Sequence, residues 1–447
     1  MTGHCALSRP RPKPAKRLVS ARILAGLGVL CLVAVCSGCQ GVEDRQQSPR
    51  AALPKTLVMH DPVNHVDVLA REPMVVEHPN GTLFVSGYGS AAPTLWNSRD
   101  HGATWTRVGI GTEADGAIGN SDVDLAMAAD GTLYFVTMVF DNKRLEGTSI
   151  SIGVSKDTGT TWSWTLLSKT RFDDRPWVKV AGDGTAHVIW NDGSGVCHAV
   201  SEDRGKTWTE RARIYPQGGS SHLAVGPNRE LAARVTPLSA SGNRFDEGVD
   251  LIMVSSDAGK TWQKHAAPGT REWSPLMDTK VTPPRWVEPR QPRWVEPLAW
   301  DAQGALYSLW TNSDGLWLAR SVDRGMTWTT WRLVESHDVL YYPYLIARGR
   351  GDLAATWFSD SGKELLSHVA QIDVSSGDVL PRMVESRPFQ IDSWVRGTRP
   401  DEPPIRDSGG EYLALTFLRE GGLGVVGPIQ NKLEKRLGFS WWKIELR

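Results

Sequence analysis

Five copies of one eight-residue pattern, Ser-x-Asp-x-Gly-x-Thr-Trp, limit the folds that this chain can adopt. Each copy carries the same five residue types at the same spacing, and five such copies do not arise by chance. Patterns that recur about every 50 residues are typical of chains built from one repeated supersecondary unit. The sequence therefore predicts a repeat architecture. The copies begin at Ser98, Ser155, Ser201, Ser255 and Ser321.

The residue types in the pattern suit a tight turn between two antiparallel strands. The glycine, as at Gly102, tolerates the positive φ that such a turn requires. The aspartate, as at Asp100, can accept hydrogen bonds from backbone N–H groups within the turn. The final tryptophan, as at Trp105, is a large apolar group that fills the edge of a sheet. Because five identical sites form a building unit, these aspartates are predicted to be structural rather than catalytic.

A second pattern, a short apolar strand, a Gly or Asn turn and a β-rich strand, occurs seven times. Seven such units between Val68 and Arg447 give about 50 residues each, the size of a four-stranded propeller blade. The predicted fold is therefore an all-β propeller of four-stranded antiparallel blades, with seven blades favoured over six. The seven copies begin at Glu72, Val123, Arg175, His222, Glu296, Tyr342 and Glu402.

The N-terminal residues 1–39 are typical of an export signal. Six basic residues and no acidic residue accompany an apolar run of thirteen, Ile23 to Val35, which is too short to span a bilayer comfortably. The following Cys36-Ser37-Gly38-Cys39 resembles the lipobox of bacterial lipoproteins, which predicts lipidation of Cys39. We therefore expect an exported, membrane-anchored lipoprotein at the cell envelope, with residues 40–67 as a polar tether and residues 68–447 as the propeller. A cleaved signal with secretion, or an uncleaved anchor, is the alternative.

Cysteine content and charge narrow the possible partners. Of the five cysteines only Cys39 and Cys197 follow the signal, so lipidation of Cys39 leaves no pair for an intramolecular disulfide. Without the six basic residues of the signal, 44 Lys and Arg face 50 Asp and Glu, so the mature chain is mildly acidic. Neither a nucleic-acid partner nor a metal site or cofactor is predicted.

The repeated turn resembles the Asp box, or bacterial neuraminidase repeat, of the sialidase superfamily. That resemblance implies a propeller, although sialidases have six blades rather than seven. In a propeller, residues that open the innermost strands converge on one mouth. Mixed carboxylates, arginines and tyrosines there suit a polar, sugar-like ligand, while solvated strand ends are the alternative. The predicted mouth residues are Arg71, Glu72, Asp122, Asp174, Arg175, Ser220, Arg293, Glu296, Tyr341, Tyr342, Asp401 and Glu402.

Sialidases hold the substrate carboxylate with three arginines, and the resemblance extends to some of these residues. Arg71, in Arg71-Glu72-Pro73, matches the first arginine, Arg234 the second if one residue is deleted, and Arg293 loosely the third. Tyr342 matches the nucleophilic tyrosine. Together with these arginines, Arg175, Tyr341 and Glu402 are the predicted ligand-binding residues.

Two parts of that active site are missing from the sequence. Residues 86–97, where the family places its acid/base aspartate, contain no acidic residue. Ser220-Ser221 replaces the expected glutamate, and Glu296 opens the next blade instead. An acid would have to come from Asp122 or Asp174. The catalytic candidates are thus Tyr342, Glu296, Asp122 and Asp174.

Three functions remain open. The first is an envelope-anchored, sialidase-like propeller that recognises glycan or a related polar polymer with an incomplete active site. The second is an exo-sialidase or other glycoside hydrolase with a displaced acid. The third is a platform for protein interaction or assembly, since propellers serve many purposes.

Overall fold

The computed structural model describes residues 56–216, 218–237, 250–269, 277–278, 285–286, 297–376, 379–391, 410–431 and 435–447. Within these ranges the chain is all-β apart from one short 3-10 turn at Glu113–Asp115. The strands form seven antiparallel sheets of the propeller kind and one separate two-stranded sheet. The predicted fold class, with seven blades, is confirmed.

The strands follow one another through the blades in chain order. The chain begins with β1 (Leu57–Met59) and β2 (Val63–Val66). Blade one contains β3 (Arg71–Glu77), β4 (Leu83–Tyr88), β5 (Thr94–Ser98) and β6 (Thr106–Arg107). Blade two contains β7 (Ser121–Met127), β8 (Leu133–Asp141), β9 (Glu146–Ser155) and β10 (Ser163–Ser168). Blade three contains β11 (Asp173–Val180), β12 (Ala186–Asp192), β13 (Val196–Ser201) and β14 (Thr209–Glu210).

The remaining strands complete the ring. Blade four contains β15 (Gly218–Val225), β16 (Leu231–Pro237), β17 (Leu251–Ser255) and β18 (Gln263–Ala266). The separate pair is β19 (Met277–Asp278) with β20 (Arg285–Trp286). Blade five contains β21 (Leu298–Trp300), β22 (Leu306–Asn312), β23 (Gly315–Ser321) and β24 (Thr329–Glu335). Blade six contains β25 (Val339–Arg348), β26 (Asp352–Asp360), β27 (Leu365–Asp373) and β28 (Arg382–Glu385). Blade seven contains β29 (Leu415–Phe417), β30 (Leu423–Asn431) and β31 (Arg436–Leu446).

The N-terminal strands close the ring by completing the last blade. Both β1 and β2 pair antiparallel with β31, Leu57 opposite Leu446 and Val63 opposite Trp441. The sequence analysis assigned these residues to the tether of residues 40–67, whereas the structure places 57–66 in blade seven. The reason is that an outer strand shows only one face to the core, so its apolar residues are too few to stand out in a short segment.

The first strand of each blade is innermost. Around the axis, β3 contacts β7, then the contacts run through β11, β15, β21, β25 and β29 back to β3. Second strands lie between neighbouring blades and are buried on both faces, as in β22, where all seven residues are buried. Sheets stacked face to face in this way need apolar residues on both sides of the strand.

The five repeated turns have one hydrogen-bond pattern. In the first copy, Ser98 Oγ accepts the Gly102 N–H at 2.8 Å, and Asp100 accepts the Thr104 N–H at 2.9 Å and hydroxyl at 2.5 Å. The Trp105 indole N–H donates to the Gly102 carbonyl at 3.1 Å. Gly102 has a φ of 90°, and His101 before it also lies in the left-handed region at 58°. The same Ser, Asp and Thr bonds recur at Ser155, Ser201, Ser255 and Ser321.

The repeated turns and the strand entrances lie on opposite faces of the ring. Each turn connects the third and fourth strands of its blade, as Ser98 to Trp105 connects β5 and β6. Since antiparallel strands reverse direction at every turn, the third strand ends at the face opposite to the start of the first. The aspartates of the turns are therefore far from the mouth, as expected for structural residues.

Candidate functional site

The innermost strands share an irregularity at the mouth. In blades one, two, three, four and six the pairing of the first strand with the second shifts register within the first few residues, as a β-bulge does. At three of these bulges the residue before a proline has a left-handed φ: Glu72 at 41°, Arg175 at 50° and Tyr342 at 46°. Such values are rare for residues with a side chain and carry a cost of about 1–3 kcal/mol each. Clustered backbone strain of this kind is typical of functional sites.

A bidentate ion pair crosses the mouth. The guanidinium of Arg175, at the entrance of β11 in blade three, donates to both carboxylate oxygens of Glu411, at 2.7 and 2.9 Å. Glu411 lies just before β29 in blade seven, and blades three and seven are not neighbours in the ring. Arg175 Nε is also 3.8 Å from Asp174 Oδ2. The ion pair therefore connects the entrances of blades three and seven across the mouth.

Glu72 lies beside this pair and is almost completely buried. Its carboxylate accepts the Glu411 backbone N–H at 3.1 Å. Burial, followed by the nearby Asp122 and Glu411 carboxylates, raises the pKa of Glu72 well above its ordinary value, against the opposing effect of Arg175 and Arg71. A carboxyl in such a position holds a proton more readily than an exposed one.

Asp122, at the entrance of β7, belongs to the same cluster. Burial and the Asp174 carboxylate raise its pKa to about 6, although Arg175 acts in the other direction. Tyr88, at the end of β4, has a raised pKa because of burial and the Glu72 and Asp122 carboxylates. Four carboxyls from blades one, two, three and seven thus surround the mouth.

An aromatic floor closes the channel below the mouth. It consists of Trp177, His222, Tyr344 and Tyr412, from blades three, four, six and seven. Their ring centroids form a closed circuit: Trp177 to His222 at 4.9 Å, His222 to Tyr344 at 6.0 Å, Tyr344 to Tyr412 at 5.6 Å, and Tyr412 to Trp177 at 5.9 Å. Because the His222–Tyr344 and Tyr412–Trp177 contacts join blades that are not neighbours, the four side chains meet at the propeller axis.

The structure brings five of the predicted mouth residues together: Arg71, Glu72, Asp122, Asp174 and Arg175. Arg71 opens β3, and its guanidinium carbon lies 6.0 Å from the centroid of the Tyr88 ring. The predicted residues Cys39, Arg293, Glu296 and Glu402 lie outside the described part of the chain, as does Asp401.

Two predicted ligand-binding residues do not reach the mouth surface. Arg234 is completely buried, and its guanidinium bonds Asp250 at 2.8 Å and Ser308 at 3.4 Å between blades four and five. Tyr341 is also completely buried in the core. Strand alternation explains both positions, because neighbouring residues of one strand face opposite sides of a blade. Tyr342 is 7% exposed, with its ring centroid 6.0 Å from that of Tyr341.

Sequence reasoning missed Glu411, Tyr412 and Tyr88. The seventh copy of the strand pattern predicts the innermost strand of blade seven from Glu402 onward, but the innermost strand is β29, which starts at Leu415. The mouth residue of that blade is consequently Glu411, in Gly410-Glu411-Tyr412. Counting the N-terminal strand as the outer strand of the last blade would have identified it.

Comparison with known proteins gives the fold. No family model and no curated protein matches the chain. Among solved structures, YCF48 from Cyanidioschyzon merolae is similar with a TM-score of 0.51 and 12% identity, over 87% of this chain and 99% of that one. A catalytically inactive virginiamycin B lyase from Staphylococcus aureus with quinupristin is similar with a TM-score of 0.51 and 12% identity, over 88% and 100% of the two chains. Similarity at such identity shows the fold alone.

A sialidase is also among the similar structures. The Hadza microbial sialidase Hz136 aligns with a TM-score of 0.43 and 16% identity, over 71% of this chain and 65% of its own. That score is too low to support an argument about the site. The class that fold and mouth define is therefore a seven-bladed β-propeller with a charged axial mouth.

The described residues contain no metal-binding cluster and no membrane-spanning helix. Among them, no group of three or more His, Cys, Asp or Glu side chains is arranged to hold a metal ion. No helix in these ranges is long and apolar enough to cross a membrane.

Proposed function

We propose that the chain is an exported, envelope-anchored propeller whose mouth binds glycan or a related polar polymer, without a complete sialidase active site. The observation that carries this proposal is the cluster of Arg71, Glu72, Asp122, Arg175 and Glu411 at one end of the axis. Charged and strained residues from four blades converge there, as in small-molecule sites that fix a polar ligand with few groups. The uniform hydrogen bonding of the five repeated turns supports their assignment as Asp boxes.

The binding proposal is tested with a glycan array and the chain that follows the signal. We expect binding that weakens by about tenfold in Asp174→Asn, since the rim would lose a charged acceptor worth about 1.5–3 kcal/mol. Asp323→Asn is the matched control, because Asp323 occupies a repeated turn on the opposite face. If binding survives Asp174→Asn but is lost in Asp323→Asn, the binding site lies on the face of the repeated turns, and the proposed site at the mouth is refuted.

Catalysis is the second candidate, and the raised pKa values of Glu72 and Asp122 favour it. Asp122, whose pKa is raised to about 6 beside the Asp174 carboxylate, holds a proton in mildly acidic solution and can then act as a general acid. Both groups lie at the mouth. They could supply the acid that is missing between Ser86 and Asn97, where sialidases carry their acid/base aspartate.

A fluorogenic sialoside separates the two candidates. Its good leaving group makes it a lenient substrate, and we expect little or no release from the wild-type protein. Tyr342→Phe removes the oxygen that matches the family's nucleophile and keeps the ring. If the wild-type protein cleaves the sialoside and Tyr342→Phe does not, the protein is a glycoside hydrolase rather than a binding protein.

Anchoring is tested separately from binding. We expect Cys39→Ala to release the protein from the membrane fraction, because lipidation of that thiol supplies the anchor. The matched control is Cys197→Ala, which changes the buried free cysteine of β13. Equal membrane association of Cys39→Ala and the wild type would refute the lipoprotein proposal.

A further inference from the structure

The described part of the mouth has more carboxyl groups than guanidinium groups. Glu72, Asp122, Asp174 and Glu411 contribute carboxyls, while the Arg175 fork is already bound to both oxygens of Glu411. The second predicted arginine, Arg234, is buried against Asp250. Arg71 is the other guanidinium among the described mouth residues, and it acts on the Glu72 carboxyl. A ligand carboxylate would thus meet four carboxyls against two guanidiniums, and like charges at short distance repel strongly in a partly desolvated site.

The floor below these carboxyls presents hydrogen-bond donors instead. The backbone N–H of Leu298 donates to His222 Nδ1 at 3.3 Å. Burial lowers the pKa of His222 well below its ordinary value, so the ring is neutral and its remaining proton lies on Nε2. His222 Nε2 and Trp177 Nε1 are therefore both N–H donors.

Neither of these two donors has a partner among the described residues, and both side chains are more than nine-tenths buried. A buried polar group without a partner is costly and calls for an explanation. The rings of Trp177 and His222 are in contact at the axis, with centroids 4.9 Å apart, so both donors belong to one cluster of rings below the carboxyls. The carboxyls above and the N–H groups below thus form two layers of opposite polarity.

The geometry points to an uncharged, hydroxyl-rich sugar unit as the ligand of this mouth, in preference to an anionic sugar. Ligand hydroxyls donate to the rim carboxyls of Asp122 and Asp174, and ligand oxygens that reach the floor accept from Trp177 Nε1 and His222 Nε2. The aromatic rings of the floor offer apolar faces to the C–H side of the sugar ring. This inference rests on the proposed glycan-binding function, and it reverses the charge preference that the sialidase resemblance implies.

Titration calorimetry with paired probes tests the charge preference. The uncharged probes are lactose and cello-, xylo- and arabino-oligosaccharides; the anionic probes are sialyllactose and oligogalacturonate. We expect at least one uncharged probe to bind, and every anionic probe to bind at least about tenfold more weakly, with the gap narrowing at high salt. An anionic probe that binds as tightly as the best uncharged one overturns the inference while leaving glycan binding intact. Failure of every probe to bind refutes the proposed function as well.

A pair of tryptophan variants tests the floor. Trp177→Phe keeps an aromatic ring and removes only the indole N–H, so binding of the uncharged probe should weaken by about tenfold. Trp190→Phe is the matched control, because Trp190 Nε1 is likewise buried without a partner but lies on β12, the second strand of the same blade. Equal effects of the two variants, with both folded by circular dichroism, would show that the floor donors play no part. The wild-type preference between lactose and sialyllactose remains decisive if either variant fails to fold.

Discussion

Arg175 and Glu411 connect blades three and seven through two hydrogen bonds of 2.7 and 2.9 Å, across a ring in which these blades are not neighbours. Glu411 at the same time donates its backbone N–H to Glu72 of blade one. Three blades are thus held at one end of the axis by side chains rather than by strand pairing. The mouth therefore has a fixed shape before any ligand arrives.

We expect the Arg175–Glu411 pair to show strong coupling. Arg175→Met and Glu411→Gln, alone and combined, should give a coupling energy of about 1.5–3 kcal/mol, because the pair is bidentate and largely buried. Urea unfolding measures each free energy. The exposed pair Arg332–Glu335, at 2.9 Å, is the control and should couple by less than about 1 kcal/mol. Similar coupling energies for the two pairs would show that the Arg175–Glu411 pair stabilises the fold no more than an ordinary surface ion pair does.

Ring closure predicts the effect of two N-terminal truncations. A chain that starts at residue 56 keeps β1 and β2, whereas one that starts at residue 68 loses the outer strand of blade seven and exposes the edge of β31. Only the shorter chain should lose cooperative unfolding and aggregate, since an unpaired long edge strand recruits other strands. Calorimetry and light scattering measure both effects. Identical melting of the two chains would mean that closure does not need these strands.

The tryptophans of the repeated turns should differ in importance. Trp105 packs edge-on against Phe439 and Trp441 of β31, with centroids at 5.1 and 5.6 Å, so it joins blade one to blade seven. Trp105→Ala should cost about 3–5 kcal/mol as a buried aromatic truncation. Trp208→Ala should cost less, because Trp208 is only partly buried and its ring centroid lies farther from its aromatic neighbour, 6.3 Å from that of Tyr134. Chemical denaturation measures both values, and the reverse order would contradict this packing account.

Acid should destabilise the fold through two stacked histidines of blade three. His187 and His198 are completely buried, 3.1 Å apart between ring nitrogens, and burial lowers their pKa values to about 4 and about 3. Between the ordinary pKa of 6.5 and these values the unfolded chain binds protons that the folded chain does not. Stability contributed by the pair is therefore complete above pH 6.5 and falls as the pH drops toward 4.

The measurement is the free energy of unfolding at pH 7 and pH 5. The loss on acidification should be about 2 kcal/mol smaller in His187→Gln than in the wild type, because one buried site no longer titrates. His337→Gln, which changes an exposed histidine outside blade three, is the control and should keep the wild-type loss. If His187→Gln loses as much unfolding free energy between pH 7 and pH 5 as the wild type, the His187–His198 pair is not the source of the acid sensitivity.

The fold was largely predictable because its signals are local. Each repeated turn is defined by bonds within eight residues, such as those from Ser98 and Asp100 to Gly102 and Thr104. Seven turns of the second pattern then gave the number of blades. No long-range information was needed for either step, since a hairpin is specified by its own turn chemistry.

The mouth depended on the tertiary structure. Register within a blade decides which of two neighbouring residues faces the axis, and a bulge such as that between Tyr341 and Tyr344 changes it by one residue. For this reason the sequence pattern favours Tyr341 and Arg234, which are buried, and does not identify Glu411. The sequence by itself determined the repeated unit and the count of blades. Only ring closure, which brings residues as distant as Arg175 and Glu411 into contact, decided which side chains share the mouth and how their charges balance.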